Sequence, residues 1–513
     1  MERSFLVRMV FGLACLALSG PAGAFDGMEA RKELFAARYE NAIALYSKVV
    51  AETPADGDAW YGLVRAHLGL HRSRDAYAAA EQALSKAPQS AGAQTAEGLA
   101  MYRRGDLAKA EAYFRAALKI DPNYPGALTG LASVDSAISM SKSARDLRLL
   151  AWAKSPDDPQ LMAFHADAMK GDEHIASLEA AMARLDPASE EARDLRVHIA
   201  NGRAMGVRKL RRLVSPYSGS DVKLFRLVDG AQRGFGINLL LNQKETARLL
   251  LDLNASGISL SPKIAEKAGL EVVASEAAGG KDAGDQKVYP LIRYLAGKVR
   301  AGDIVFEDYP IAAFQSARRT DWDGVIGADV FQRFLVKIDF AELAMSLEPR
   351  AELEREAWDE PADAAGTQIP GFYRVFRFGE HLAIPTSING ARATLFLIDP
   401  GSASSRIDTD TAKKLPITED DRRMRIAGIP GTAYRSRVEP DTLVFAAFRM
   451  DHPKLPTLSL EKTSDSLGVG LTGIIGASVL DHVAITIDYR NAQIKMEYKR
   501  GDYPPEHTII VIK

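Results

Sequence analysis

Cysteine is almost absent from this chain of 513 residues, as are long apolar runs and any large excess of charge. The single cysteine, Cys15, lies in the first apolar segment, so disulfide bonds within the chain are excluded. Lysine and arginine number 65 against 67 acidic residues, which argues against nucleic acid as a partner. The histidines have no zinc-ligand spacing and no dinucleotide loop is complete, so we predict no metal and no cofactor. Apolar cores must therefore stabilise the fold.

The first 24 residues have the composition of an export signal. Basic residues precede a short apolar run, Met9–Leu18, and small residues up to Ala24 form a cleavage pattern. We predict cleavage after Ala24 and an exported, periplasmic protein, although such a signal does not distinguish the periplasm from secretion. The apolar run is too short to span a bilayer, so we expect no transmembrane span in the mature chain. Lipid anchoring at Cys15 is disfavoured because Gly12 stands where a lipobox usually has leucine.

The next segment repeats with a period of 34 residues. Three sets of positions keep this step: Pro54, Pro88, Pro122 and Pro156; Ala42, Ala76, Ala110 and Ala144; and Val49, Ala83, Ala117 and Ala151. Small residues at helix contacts, with proline after the second helix, resemble the tetratricopeptide repeat. We expect an all-α solenoid over residues 25–205, with the four alanines buried. The fourth unit departs from the pattern, because Asp135 and Arg148 occupy positions that are usually apolar or aromatic. We interpret this as a wetter terminal face.

The remainder of the chain contains a second repeat, with a period near 148 residues. Residues 237–257 align with 384–404, so that Asp252 corresponds to Asp399. Further on, DGVIGADVF aligns with TGIIGASVL, which places Gly327 opposite Gly476. Apolar runs broken by glycine, asparagine and proline predict strands. We therefore expect two related all-β units, residues 206–350 and 371–513, joined by a charged and then Pro/Ala-rich linker at 351–370.

Each β unit has an apolar strand that ends in aspartate, a turn of small residues and a later apolar-apolar-glycine strand. This order resembles retropepsin-like and pepsin-like aspartic proteases, and most closely bacterial exported proteins with retropepsin-like domains. The resemblance implies two lobes that form one pepsin-like bilobal unit, with Val325–Gly327 and Ile474–Gly476 packed under the catalytic loops. It also implies a catalytic dyad of Asp252 and Asp399, because two carboxylates that share a proton can activate water and protonate the departing nitrogen.

Both catalytic turns depart from the family's Asp-Thr-Gly. Leu253 and Pro400 replace the residue whose hydroxyl hydrogen-bonds across the two loops, so the sequence predicts that this brace is missing. Gly401 keeps the family's glycine, while Asn254 replaces the other one and suits a left-handed turn.

The expected supports of the catalytic loops are Asn254, Ser256, Gly401 and Ser402. Residues 422–438 predict a hairpin that could act as a mobile flap, with Gly428, Gly431 and Tyr434 as the candidate flap residues.

A cluster of Ser478, Asp481 and His482 could suggest a nucleophile with a base. Its counterparts in the first β unit are Asp329, Gln332 and Arg333, which have no such chemistry. We therefore interpret these positions as surface residues.

Three functions are compatible with these patterns. The chain could be an exported aspartic endopeptidase that acts on protein or peptide substrates, with the helical repeats recruiting a substrate or a protein partner. It could instead be a catalytically inactive descendant that binds peptides in the cleft or scaffolds an envelope complex. In a third interpretation the solenoid carries the function and the β lobes are structural. The separation of the two aspartate carboxylates distinguishes the first function from the second.

Overall fold

The computed structural model describes residues 22–206, 208–229, 232–281, 288–314, 322–349, 369–415, 417–418, 437–499 and 509–511. The start of the predicted signal segment and nearly all of the predicted linker lie outside these ranges. So do Gly428, Gly431 and Tyr434 of the predicted flap. The domain boundaries given above stay predictions.

The first part of the described chain is helical. Its helices are α1 (Ala22–Phe35), α2 (Tyr39–Glu52), α3 (Gly57–Gly69), α4 (Ser73–Lys86), α5 (Ala91–Arg103), α6 (Leu107–Ile120), α7 (Pro125–Ala137), α8 (Ser141–Lys154), α9 (Pro159–Ala166), α10 (Gly171–Met182) and α11 (Glu190–Met205). From α1 to α8 each helix packs on the next, and α1, α3, α5 and α7 also stack on one another. This stacking makes the region a solenoid of helix pairs, as the 34-residue period predicts.

The small residues of the repeat lie at the helix contacts. Ala42, Ala76, Ala110 and Ala144 are all 0% exposed, which confirms the prediction. The ring of Phe114 packs against two glycines of neighbouring helices, and a side chain at either glycine would occupy the same space. A Cβ added at Gly98 or Gly130 would lie 2.5 or 2.3 Å from that ring. Close packing of this kind fixes the register of the repeats.

The last helices of the solenoid return to its first helices. The Asp186 N–H donates to the Ala36 carbonyl at 2.8 Å, and Arg31 pairs with Asp157 at 3.0 Å. Tyr39 also donates its hydroxyl to Glu191. The solenoid therefore encloses a groove of about 1190 Å³, lined mainly by residues of α1, α3, α5 and α7 together with α9, α10 and α11.

The remainder of the described chain is rich in strands. Those of the first lobe are β1 (Arg212–Leu213), β2 (Ser220–Lys223), β3 (Phe225–Asp229), β4 (Gln232–Leu241), β5 (Glu245–Asp252), β6 (Ile258–Leu260), β7 (Glu271–Lys281), β8 (Val288–Ala301), β9 (Ile304–Phe314), β10 (Gly324–Gly327), β11 (Leu335–Asp339) and β12 (Ala344–Glu348). Those of the second lobe are β13 (Tyr373–Arg374), β14 (Phe376–Phe378), β15 (His381–Ile388), β16 (Thr394–Ile398), β17 (Arg406–Asp408), β18 (Ile417–Thr418), β19 (Arg437–Val438), β20 (Thr442–Phe445), β21 (Phe448–Asp451), β22 (Leu455–Leu458), β23 (Gly473–Ile475), β24 (Val483–Asp488), β25 (Gln493–Tyr498) and β26 (Ile509–Val511). Short helices lie between them: α12 (Pro262–Lys267), α13 (Thr409–Ala412), α14 (Glu461–Leu467), α15 (Ala477–Leu480) and a 3-10 turn at Ala328–Phe331.

The strands form one sheet for each lobe and a third sheet that both lobes share. The first lobe's sheet has the order β1-β9-β6-β10-β5-β4-β8-β7, with β3 on β4. The second lobe's sheet has the order β18-β19-β22-β17-β23-β16-β15-β20-β21-β26, with β14 on β15. The shared sheet has the order β13-β25-β24-β11-β12-β2, and its centre is the antiparallel pairing of β11 with β24. The two lobes are therefore one bilobal unit within a single chain, as predicted.

The solenoid docks directly on the second lobe. Arg103 at the end of α5 is buried, pairs with Asp465 and donates from Nη1 to the Ser464 carbonyl at 2.8 Å. The Gly470 N–H donates to the Arg103 carbonyl at 2.7 Å. One apolar cluster joins the two parts; its buried members are Leu107, Ala137, Phe378, Ala383, Leu395, Leu397, Leu460, Val469, Leu471 and Ile474. The solenoid is thus held against the β unit by apolar burial and by hydrogen bonds.

Candidate active site

The two aspartates occupy matching places in the two lobes. Asp252 ends β5, which runs parallel to β10 with Asp252 paired to Gly327. Asp399 follows β16 directly, and β16 runs parallel to β23 in the same way. In each lobe the apolar-apolar-glycine strand therefore supports the strand that carries the aspartate, which confirms the predicted arrangement.

The backbone holds both carboxylates in the same manner. The Asn254 N–H donates to Asp252 Oδ1 at 2.8 Å, and the Gly401 N–H donates to Asp399 Oδ1 at 2.9 Å. In both loops the donor is two residues after the aspartate, so an N–H stabilises the charged form of each side chain. Neither Asn254 nor Gly401 has positive φ, so the expected left-handed turn is wrong. The loops reach the carboxylates with ordinary backbone angles.

The two loops are braced after all, by the side chain of Asn254. Its Nδ2 donates to the carbonyl of Ile398 at 3.2 Å, and Ile398 immediately precedes the opposite aspartate. The hydroxyl brace is missing as predicted, because Leu253 and Pro400 are buried and have no hydroxyl. The bridging donor comes instead from the residue after Leu253, which the sequence analysis did not predict. The Asn254 Oδ1 is buried and has no hydrogen-bond partner among the described residues.

The environment of Asp399 favours its protonated form. Burial, followed by the charge of the Asp252 carboxylate, raises the pKa of Asp399 to about 6. The N–H groups of Gly401 and Ser402 and the Asn254 amide act in the opposite direction, because they stabilise the ionised form. The charge of Asp252 therefore acts directly on Asp399. Below about pH 6 this pair holds a proton on Asp399.

The glycines under the loops leave room for backbone. A Cβ at Gly327 would lie 2.2 Å from the Ala255 carbonyl oxygen, and one at Gly476 would lie 2.5 Å from that of Ser404. Gly327 N–H donates to the Gly257 carbonyl at 2.8 Å. Any side chain at these two positions would displace a catalytic loop.

The two remaining predicted supports, Ser402 and Ser256, both lie in the catalytic loops. Ser402 donates its hydroxyl to the Ser404 carbonyl at 3.0 Å and thereby tightens the second loop. Ser256 is exposed, and neither serine hydroxyl is hydrogen-bonded to a catalytic carboxylate in the described part of the chain.

Sequence reasoning missed a further pair of supports. Asp329 is buried, and both of its carboxylate oxygens accept from the Gly257 N–H, at 2.9 and 3.0 Å. Its counterpart Ser478 accepts from the Ser405 N–H at 3.1 Å. Both residues lie two positions after the loop-supporting glycine, and an acceptor at this position in both copies was the available signal.

The prediction that these are surface positions is therefore wrong for Asp329 and for His482, each of which is 4% exposed. Burial, with the nearby Glu380 as a smaller cause, raises the pKa of Asp329 to about 6. Among the described residues, no group of three His, Cys, Asp or Glu side chains could hold a metal ion. Nor is any described helix both long and apolar enough to cross a bilayer.

Family models match both parts of the chain. A tetratricopeptide-repeat model matches residues 28–72 and 61–125, and an aspartyl protease model matches residues 237–330 and 384–479. Each aspartyl protease match contains one of the two aspartates, Asp252 or Asp399, and one of the loop-supporting glycines.

Two solved structures are similar to parts of the chain. One is a thermophilic tetratricopeptide-repeat protein of Thermus thermophilus, with 22% sequence identity and a TM-score of 0.28. The match covers 36% of this chain and 99% of the Thermus chain. The other is the aspartic proteinase of Irpex lacteus, with 12% sequence identity and a TM-score of 0.35. The match covers 55% of this chain and 98% of the Irpex chain. No curated protein sequence matches the chain.

Proposed function

We propose that this chain, which carries tetratricopeptide repeats followed by two aspartyl protease domains, is an exported endopeptidase that hydrolyses peptide bonds through Asp252 and Asp399. The observation that supports this function best is the matching geometry of Asp252 and Asp399, each held by an N–H two residues later, with the Asn254 amide joining the two loops. Export is supported by the signal pattern in the first 24 residues.

The chemistry assigns a different role to each carboxylate. Asp252 takes a proton from a water molecule as the water oxygen attacks the carbon of the peptide bond. Asp399 donates its proton to the carbonyl oxygen, which gives a tetrahedral diol. When the carbon–nitrogen bond breaks, the departing nitrogen takes the proton held by Asp252, and a diol hydroxyl returns one to Asp399. The pair ends as it began, with one shared proton.

The pH dependence of cleavage tests this function. The mature chain, expected to begin at Phe25, is purified from the periplasm and its hydrolysis of unfolded casein is followed from roughly pH 3 to 8. We expect activity to fall as pH rises through about 6, because Asp399 then loses the proton that it must donate. N-terminal sequencing of the same preparation checks the cleavage site. Absence of cleavage over the whole range would reject hydrolysis.

The second candidate function is peptide binding without cleavage. It is favoured by Leu253 and Pro400, which replace the family's hydroxyl residues in both loops. The same pH series distinguishes the two functions if binding of a labelled casein peptide is measured in parallel. Binding without any product at acidic pH would favour this second function.

The helical repeats are proposed to recruit a protein partner through the enclosed groove. Its lining is acidic: Asp158, Asp167, Asp172, Glu179, Glu191 and Asp194 face it, against Arg65 and Arg203. Both arginines are already paired, Arg65 with Asp158 at 2.9 Å and Arg203 with Glu179. The charge that remains is negative, so the groove suits a segment that carries lysine or arginine.

Charge reversal at the exposed groove residues Asp172 and Asp194 tests this partner class. The double variant Asp172→Lys, Asp194→Lys is expected to weaken binding of a labelled lysine- and leucine-containing nonapeptide by about tenfold or more. The matched control is Glu52→Lys, Asp75→Lys, which makes the same change of charge at exposed sites outside the groove lining. Equal affinity in both double variants, measured by fluorescence anisotropy, would show that the groove charge is not used.

A further inference from the structure

A second cavity, of about 500 Å³, lies where the solenoid and both lobes meet. Tyr102, Ser136 and Arg148 contribute to it from α5, α7 and α8, and Asn254 contributes from the first catalytic loop. The second lobe adds the turn from Arg377 to His381. The volume is within the range of small-ligand pockets. We call this cavity the junction pocket.

Arg148 is the residue of this pocket that the repeat does not explain. At steps of 34 residues the same position holds Tyr46, Ala80 and Phe114, all of which are buried between helices. In the fourth unit the side chain instead lines the junction pocket. An arginine that lines a cavity, at a position built for packing, indicates a use other than holding the repeats together.

The guanidinium of Arg148 is held in place but forms no ion pair among the described residues, and the Asp167 carboxylate acts on it from beyond ion-pair distance. Its Nη2 donates to Ser136 Oγ at 2.8 Å, and its Cζ lies 4.6 Å from the centre of the Phe164 ring. Its Nε is buried without a hydrogen-bond partner, and none of the ion pairs between described residues includes it. A partly buried cation with no carboxylate in direct contact is stabilised when a ligand supplies one.

The other charged side chains of the pocket do not supply a carboxylate to Arg148. Arg377 pairs with Glu380 at 3.3 Å and donates to the Tyr489 carbonyl at 3.0 Å, so these two side chains largely neutralise each other. Of the two arginines that line the pocket, Arg148 is therefore the one that forms no direct ion pair among the described residues.

Asn254 connects the junction pocket to the catalytic pair. It lines the pocket, its N–H holds the Asp252 carboxylate, and its amide reaches the carbonyl that precedes Asp399. The solenoid forms the far wall. A peptide that passes from the catalytic loops into the pocket therefore ends against the solenoid.

We infer that the junction pocket binds the C-terminal carboxylate of a peptide, with Arg148 as its charged partner. A guanidinium is suited to this group because it can donate two parallel hydrogen bonds to a carboxylate. If Asp252 and Asp399 hydrolyse peptides, as proposed above, the scissile bond lies close to the substrate's C terminus. On this inference the chain cleaves near the free carboxyl end of its substrate, which replaces the general endopeptidase specificity proposed above.

The test compares two ligands that differ only at that end. N-acetylated hexapeptides of alanine and phenylalanine, ending in a carboxylate or a carboxamide, are titrated into the full chain carrying Asp399→Asn, so that no cleavage interferes. We expect the acid to bind about tenfold more tightly than the amide. Adding Arg148→Gln should remove this preference by weakening the acid alone. Arg145→Gln, an exposed arginine on the same helix, should preserve it.

The outcomes separate this inference from the proposed hydrolysis. Equal affinity for acid and amide in the Asp399→Asn chain overturns the inference, and this comparison requires no change in the pocket itself. A preference that survives Arg148→Gln also overturns it. A preference for the acid that depends on Arg148 supports the pocket even if the native chain cleaves nothing. Cleavage at interior bonds, equally fast for acid and amide substrates, supports hydrolysis and rejects the C-terminal site.

Discussion

Replacement of Asp399 by asparagine is expected to lower kcat/KM for peptide hydrolysis by at least about 1000-fold, with the fold intact. Asparagine fills the same space and can still accept the Gly401 N–H, but its amide is too weak an acid to transfer a proton to the carbonyl oxygen. Asp252→Asn should cause a similar loss, because the attacking water then lacks its base. The measurement is the initial rate of cleavage near pH 5 for each purified variant.

Stability measurements distinguish a chemical loss from misfolding. The pKa of Asp399 is raised from its ordinary 3.8 to about 6. The folded chain therefore holds this proton where an unfolded chain has released it, and its stability declines as pH rises from about 4 to 6. Asp399→Asn removes that decline, so its midpoint of thermal unfolding at pH 7 should be no lower than that of the native chain. Asp303→Asn, at an exposed turn, serves as the control and should retain full activity. Hydrolysis by Asp399→Asn at the native rate would show that the pair is not catalytic.

Asn254→Ala is expected to lower kcat by about 10- to 100-fold, because it removes both the bridge between the loops and the amide that stabilises ionised Asp399. The backbone N–H that holds Asp252 remains, whereas the bridge from Nδ2 to the Ile398 carbonyl is lost. The pH profile gives a second readout. The Asn254 amide lowers the pKa of Asp399, so its removal should move the descending limb of activity to higher pH.

A purely structural role for Asn254 would reduce activity without moving the profile. The control for truncating an amide is Asn123→Ala, an exposed asparagine of the solenoid. If Asn254→Ala leaves both kcat and the descending limb unchanged, the brace between the loops has no catalytic importance.

The features that the sequence predicts correctly are those that are repeated within it. The 34-residue step places the alanines at helix contacts, and the duplication pairs Asp252 with Asp399, because each repeat copies one packing solution. The brace could not be predicted by position, since it depends on how far the Asn254 side chain reaches across a gap between lobes. The docking of Leu107 against Phe378 and Leu395 was equally hidden, because an apolar residue on a helix does not indicate which surface it will cover.

Arg148 and Asp329 were noticed in the sequence and misinterpreted. A charged residue at a packing position was assigned to a wetter face, and the cluster around Ser478 was assigned to the surface. In the structure Arg148 lines a pocket formed with two other parts of the chain, and Asp329 is buried against a catalytic loop. Local sequence gives the polarity of such residues but not the neighbours that the tertiary fold brings to them.

The shared sheet determines when, during synthesis, the first lobe can complete its fold. β11 of the first lobe has one edge against β12, and its other edge pairs with β24, which lies near the end of the chain. Until β24 has been made, the first lobe exposes an open strand edge, which other chains can pair with. Contacts this distant in sequence also form slowly. A nascent chain that is still missing its last strands is therefore prone to aggregation, and neither lobe can reach its native state as an independent folding unit.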